Sequence, residues 1–213
     1  MKRPRVLLGD DHAIILDGLR RILEPHFEVV GSAPDGRALV AAAQELRPDV
    51  IVADISMPLL NGIEAARQLR KLESRAKVIF LTMHPDVAYA AEAFRAGASG
   101  YVLKNSAASE LVTAIEEALK GRTYLTPLVA KDLIASLLES PAHPEKPLPP
   151  LTPRQREILQ LVAEGRSAKD IAGVLNISPR TVEFHKYRIM EVLGLRTTAE
   201  LTQYAIKHGI VAL

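Results

Sequence analysis

Four short apolar runs, each closed by a charged or hydroxyl-bearing residue, confine this chain to very few folds. Val6-Leu7-Leu8-Gly9 leads into Asp10-Asp11, and Val50-Ile51-Val52-Ala53 into Asp54. Val78-Ile79-Phe80-Leu81 ends on Thr82, and Tyr101-Val102-Leu103 on Lys104. Such runs, too short for helices and apolar throughout, read as strands buried on both faces. Strands are expected at 5–9, 27–32, 49–53, 77–82 and 100–103, with helical segments near 12–24, 36–47, 62–73, 86–96 and 107–120. Ala65, Leu69 and Leu72 fall on one helical face, and Leu111, Ile115, Ala118 and Leu119 on another. Strict alternation of strand and helix implies a parallel sheet covered on both sides. Five of each gives a flavodoxin-like, doubly wound α/β domain.

In a parallel sheet the C-terminal ends of the strands share one edge, where open α/β folds build their sites. Asp10, Asp11 and Asp54 would meet Thr82 and Lys104 there. Three clustered carboxylates repel one another unless a divalent cation neutralises them, and hard oxygen donors with room for water favour Mg²⁺. Singly, an Asp after a strand is more often a turn or cap residue, and a lone Thr or Lys is structural or solvated. The ordered set at successive strand ends carries the argument.

The length of 213 residues suits one medium domain and a small one. Hydrophobic content of 48% with 24% charge indicates a folded soluble protein. No stretch approaches the ~20 apolar residues of a membrane span. The absence of cysteine excludes disulfides, thiolate metal sites and cysteine nucleophiles. A cytoplasmic location without membrane partners is expected. From Pro147 onward nine Lys/Arg face six Asp/Glu, so this end carries +3 of the net +2 and the remainder −1. The asymmetry mildly favours an anionic partner for the C-terminal end, although a solvated surface explains it equally well.

A helical stretch, Leu128 to Leu138, follows Pro127, and then five prolines crowd into residues 141–150. That stretch reads as a semi-rigid spacer. Beyond it the helix punctuation is dense. Thr152-Pro153 with Gln155 makes a capping box, Gly165 ends that helix, and Ser167 to Asn176 frames the next. Ser178-Pro179 opens a third helix that runs to Gly194, and Thr197 with Glu200 caps a fourth that ends at Gly209. The second and third form a helix-turn-helix. Val182, Ile189 and Leu193 mark the inward face of the third helix, with His185 between them as a semi-buried structural residue. Glu183, Phe184, Lys186, Tyr187 and Arg188 are left for a DNA major groove. Lys169, Arg180, Lys186 and Arg188 are candidate phosphate neutralisers, each weighed against a merely solvated charge.

The N-terminal set, Asp10-Asp11, Asp54 with Met57-Pro58 and Gly62, Thr82 and Lys104, resembles the receiver domain of two-component response regulators. That resemblance implies Asp54 as phosphoacceptor, with Mg²⁺ held by Asp10, Asp11, Asp54 and the backbone carbonyl of Ser56. It also implies Lys104 and Thr82 as phosphoryl ligands and Tyr101 as an aromatic switch. Hydrolases with an Asp nucleophile, such as haloacid-dehalogenase-like phosphatases, carry a second Asp two residues on, where this chain has Ser56. The reading is therefore a regulator that promotes only its own phosphotransfer and dephosphorylation, rather than an enzyme. Asn105 stands where many receivers have proline, so a trans bond is expected. Met83 replaces a smaller residue and is expected to restrict access to the pocket.

From Leu151-Thr152-Pro153-Arg154 through Ile171-Ala172, Asn176-Ile177-Ser178 and Thr181-Val182-Glu183-Phe184-His185 to Leu193-Gly194, the chain resembles the effector domain of the NarL/FixJ (LuxR-type) regulators. This adds Thr181 to the DNA-facing set and a dimer contact near 198–208. The expected layout is a receiver at 1–122, a linker with a helix and the Pro-rich segment at 123–150, and a small all-α helix-turn-helix domain of four helices at 151–213. The implied partners are a histidine kinase, operator DNA and a second copy of the chain, with RNA polymerase a further candidate. The alternative is a receiver-containing interaction protein, or a DNA binder controlled by something other than phosphorylation. The complete acidic pocket and Lys104 argue against it.

Overall fold

The computed structural model describes residues 3–138 and 151–211. The Pro-rich stretch at 141–150 lies outside the described residues. The chain divides into two compact units, one N-terminal and one C-terminal.

The N-terminal unit is built on strands β1 (Arg5–Gly9), β2 (Glu28–Ala33), β3 (Val50–Ala53), β4 (Lys77–Thr82) and β5 (Gly100–Leu103). A sixth strand, β6 (Tyr124–Leu125), joins the edge, so the sheet runs β2-β1-β3-β4-β5-β6 with every pairing parallel. The expectation of five strands is corrected here. Tyr124-Leu125 is too short to carry a strand pattern of its own and is recruited by the free edge of β5. It comes from the segment that the sequence reading gave to the linker.

Between the strands lie α1 (Ala13–Leu23), α2 (Gly36–Leu46), α3 (Gly62–Lys71), α4 (Val87–Ala96) and α5 (Ala107–Leu119), with α6 (Pro127–Leu138) after β6. Asp35, Asn61 and Asp86 accept backbone N–H groups at the starts of α2, α3 and α4, which satisfies donors a helix start otherwise leaves orphaned. Gly97, with φ +106°, ends α4 in the left-handed region. Val6, Leu8, Val50, Val52, Ile79, Leu81 and Val102 face a core completed by Leu111, Ala114, Ile115 and Ala118 of α5. Two expected face positions are exceptions. Leu72 is 49% exposed because α3 ends before it, and Leu119, the last residue of α5, is 37% exposed.

The C-terminal unit comprises α7 (Pro153–Ala163), α8 (Ala168–Leu175), α9 (Pro179–Leu193) and α10 (Thr198–Lys207). Both expected capping boxes form, and Ser167 with Asp170 makes a third that the sequence reading did not single out. Asn176, left-handed at φ +52°, turns the chain from α8 towards α9. Arg154 of α7 donates to the carbonyl of Leu175 (2.9 Å), tying α7 to the end of α8. Ile158, Leu159, Leu161, Ile171, Val182, Ile189, Leu201 and Ala205 form the core. Burying these side chains is the main source of stability for so small a unit, at about 25 cal/mol per Å² of apolar surface.

Candidate functional site: an acidic pocket and an exposed helix face

The strand order brings the C-terminal ends of β1, β3, β4 and β5 side by side. Asp54 follows β3, and its N–H donates to the carbonyl of Gly9 (2.7 Å) on β1. Asp10 is anchored by its own N–H, which donates to the Ala33 carbonyl at the end of β2 (3.1 Å). Lys104, just past β5, reaches across the sheet edge. Its Nζ lies 2.8 Å from Asp54 Oδ2 and 2.7 Å from Asp10 Oδ2. Asp10 is 1% and Asp54 5% exposed. Burial opposes the Lys104 charge, but the hydrogen bonds and charges of Asp10 and Asp54 outweigh it and hold the ammonium above its ordinary pKa.

The remaining pocket residues are placed less directly. Asp11 is more exposed, at the mouth of the site. Thr82 is fully buried, and its Oγ1 accepts the His84 N–H (3.2 Å). Tyr101 points into the interior, and its hydroxyl donates to the His84 carbonyl (2.7 Å). Burial first, then the neighbouring Tyr89 and Asp86, push its phenol pKa upward. Ser56 Oγ hydrogen-bonds to His84 Nε2 (3.0 Å), and the His84 ring stacks on Tyr89 with centroids 4.5 Å apart. The described peptides, Lys104–Asn105 among them, are trans, as expected. Met83, expected to crowd the pocket, is 69% exposed.

Two histidines escaped the sequence reading. His84 joins Ser56, Thr82 and Tyr101, which only the packed loops reveal. His12 Nδ1 sits 2.8 Å from Asp11 Oδ1 and 3.1 Å from Asp10 Oδ1. Its place next to Asp10-Asp11 was the available signal. Asp10, Asp11 and His12 bring their ligand atoms within 4.8 Å of one another, while Asp54 joins this group through Lys104.

The donor set fits a hard divalent cation. Among the described residues, the buried Asp10 Oδ2 is paired with the Lys104 ammonium at 2.7 Å and accepts from no other group. An oxygen of that kind, beside an accessible carboxylate, has lone pairs for a metal. A cleft of about 550 Å³ lined by Arg47, Asp49, Glu73 and Arg75 opens near the N-terminal ends of β3 and β4. It lies at the opposite edge of the sheet and has no part in this chemistry.

On α9, Phe184 (58%) and Tyr187 (65%) are exposed one turn apart, whereas Val182 and Ile189 are buried. His185 is half-buried, as expected. Lys169, Arg180 and Arg188 are exposed, with Arg188 paired to Glu191 (2.7 Å). Lys186 is half-buried and paired with Glu183 (2.7 Å). Thr181 takes part in the α9 cap, its Oγ1 2.8 Å from Ser178 Oγ.

The family model for the response regulator receiver domain matches residues 6–116, and that for bacterial regulatory proteins of the luxR family matches residues 149–205. The transcriptional regulatory protein MctR of Rhizobium johnstonii is 40% identical, over 98% of this chain and 95% of its own length. The response regulator UvrY of Escherichia coli is 36% identical, over 96% and 94%. Among solved structures, one of two RcsB dimers bound to two parallel DNAs superposes with TM-score 0.58 at 29% identity, covering 95% of this chain and 98% of that one. This chain therefore belongs to the two-component response regulators of the NarL/FixJ type, in which a receiver is joined to a LuxR-type DNA-binding domain.

Proposed function

We propose that Asp54 accepts a phosphoryl group from a histidine kinase, and that this event controls binding of the α8–α9 helix-turn-helix to operator DNA. The observation that carries the reading is the buried Asp10–Lys104–Asp54 arrangement, with Lys104 Nζ within 2.8 Å of both carboxylates. A carboxylate attacks a phosphoryl group only when the charge on the phosphoryl oxygens is neutralised, so phosphoryl transfer is largely positioning and electrostatics. Lys104 supplies one positive charge at the Asp54 oxygen and remains to pair with a phosphoryl oxygen. Thr82 supplies a hydroxyl at the neighbouring strand end.

Mg²⁺ is the cation the carboxylates suit, held by Asp10, Asp11 and Asp54 with the Ser56 carbonyl; bound there it would neutralise phosphoryl charge. Tyr101, inward and bonded to His84, would act as the switch that follows Thr82. The site serves the chain's own phosphorylation and dephosphorylation, not turnover of a separate substrate. The receiver is assigned to about residues 1–122, the linker to 123–150 and the effector domain to 151–213.

In the effector, Lys169, Arg180 and Arg188 would neutralise DNA phosphates. Glu183, Phe184 and Tyr187 would meet base edges, with Lys186 and Thr181 in support. Two copies would place paired α9 helices on half-sites about one helical turn apart. The RcsB dimers bound to DNA support that arrangement. No helix among the described residues is long and apolar enough to cross a membrane. The protein is assigned to the cytoplasm, where kinase and DNA are both accessible.

The test is acid-labile phosphate incorporation from acetyl phosphate with Mg²⁺. The parent should be labelled and Asp54→Asn should not. Equal labelling of the variant would move the acceptor elsewhere.

A further inference from the structure

Thr126 closes the end of β5 on three sides. Its N–H donates to the Tyr101 carbonyl (3.0 Å), and its Oγ1 accepts from the Leu103 N–H (3.2 Å). Its hydroxyl donates to Glu110 Oε2 on α5 (2.7 Å), and the residue is 3% exposed. The Thr126 carbonyl is committed elsewhere, because it accepts from Ala130 (3.0 Å) at the start of α6. A strand running straight on would satisfy the Leu103 N–H with a backbone carbonyl. Here the side-chain hydroxyl takes that place, and without it a buried backbone donor would have no partner.

The stretch of β5 so held runs from Tyr101 to Leu103, immediately before Lys104. Thr126 thus hydrogen-bonds to the strand end that carries both the buried tyrosine and the pocket lysine. It is also the residue from which α6 begins, and the chain continues from α6 towards the C-terminal unit.

We propose that Thr126, anchored by Glu110, is the joint that passes a change at the acidic pocket to α6. When Lys104 moves towards a phosphoryl group, the adjacent Leu103 N–H shifts against the Thr126 hydroxyl. Glu110 holds that hydroxyl on α5, so the displacement is taken up by the Thr126 backbone and by the first turn of α6. Thr126 is a positioning residue and touches no reacting atom. The inference rests on the reading of Asp54 as acceptor.

The experiment uses the full chain, labelled by acetyl phosphate with Mg²⁺, and follows amide hydrogen exchange in α6. In the parent, labelling should change exchange of the first α6 amides by about fivefold or more, the lower end of ordinary coupling between sites. Thr126→Val, nearly the same shape without the hydroxyl, should take up label as the parent does while its α6 exchange no longer responds. Thr126→Ser should restore the response. Should Thr126→Val fail to fold, Glu110→Ala reads the same joint from its anchor and should also blunt the response. A full response in Thr126→Val or in Glu110→Ala, or equal loss in the Val and Ser variants, overturns the joint. So does a parent that is labelled on Asp54 without any change in α6. A parent that takes no label on Asp54 instead overturns the acceptor assignment.

Discussion

Gly62 stands so close to Asp54 that a Cβ on it would come within 2.1 Å of the Asp54 carbonyl oxygen. The Gly62 N–H also donates to the carbonyl of Ile55 (2.9 Å), so the start of α3 is pressed onto the backbone that carries Asp54. The obstacle is backbone, which has no rotamer by which to yield. Gly62→Ala should therefore destabilise the N-terminal unit by about 1–3 kcal/mol, the range for overpacking a filled interior. It should also slow labelling of Asp54. A melting temperature equal to that of the parent would show that α3 can slide without cost.

Lys104 separates two buried carboxylates, and removing its charge leaves them facing each other. Losing one partner of a buried pair costs about 3–5 kcal/mol. Lys104→Gln should lower stability by an amount in that range in metal-free buffer, and Mg²⁺ should recover part of it. Asp11→Ala should weaken the Mg²⁺ effect without abolishing folding. Denaturant melts with and without Mg²⁺ check both, and a Lys104→Gln variant indifferent to the ion would place the cation elsewhere.

The proposed DNA contacts divide by their pairing in the free protein. Arg180 is exposed, whereas Lys186 is half-buried against Glu183. Arg180→Ala should weaken DNA binding nearly uniformly across operator variants and reduce the salt slope by about one charge. Glu183→Ala should relax preference at one base pair by about 1–3 kcal/mol of discrimination. It also frees Lys186, so overall affinity should rise or hold. The check is a binding titration across salt concentrations and operator variants; a uniform loss in Glu183→Ala would remove it from base reading.

Two capping carboxylates give the C-terminal unit an acid-side limit. The Ser167 hydroxyl, then its N–H, hold the Asp170 pKa below the ordinary carboxylate range; the N–H groups of Arg196 and Thr197 do the same for Glu200. Lowered folded-state values mean a stabilisation present above the unfolded pKa values, about 3.9 and 4.3, and lost as pH falls through the folded ones. Asp170→Asn with Glu200→Gln should therefore lower stability most near neutrality, where the parent's carboxylates are charged, and flatten the decline below about pH 4, where parent and variant converge. Thermal melts by circular dichroism between pH 2 and pH 7, values bracketing that range, should show the difference. Parallel acid profiles for parent and variant would rule the caps out as its source.

Much of this protein was legible because its signals are local. Val50 to Ala53 must be a buried strand wherever it lies, and Thr152-Pro153 with Gln155 caps a helix in any context. The order of Asp10, Asp54, Thr82 and Lys104 at strand ends placed the pocket, since a parallel sheet leaves strand C-termini on one edge. What the tertiary structure alone decided are contacts between segments with no mark of their own. Tyr124-Leu125 became a strand only because β5 offered a free edge. His84 entered the pocket only because its loop packs over Ser56 and Tyr101. Thr126 is an ordinary threonine in sequence, and its role arises from a buried Leu103 N–H that needed an acceptor. Periodicity and capping follow from neighbours along the chain, whereas hydrogen-bond partners across it exist only once the sheet has closed.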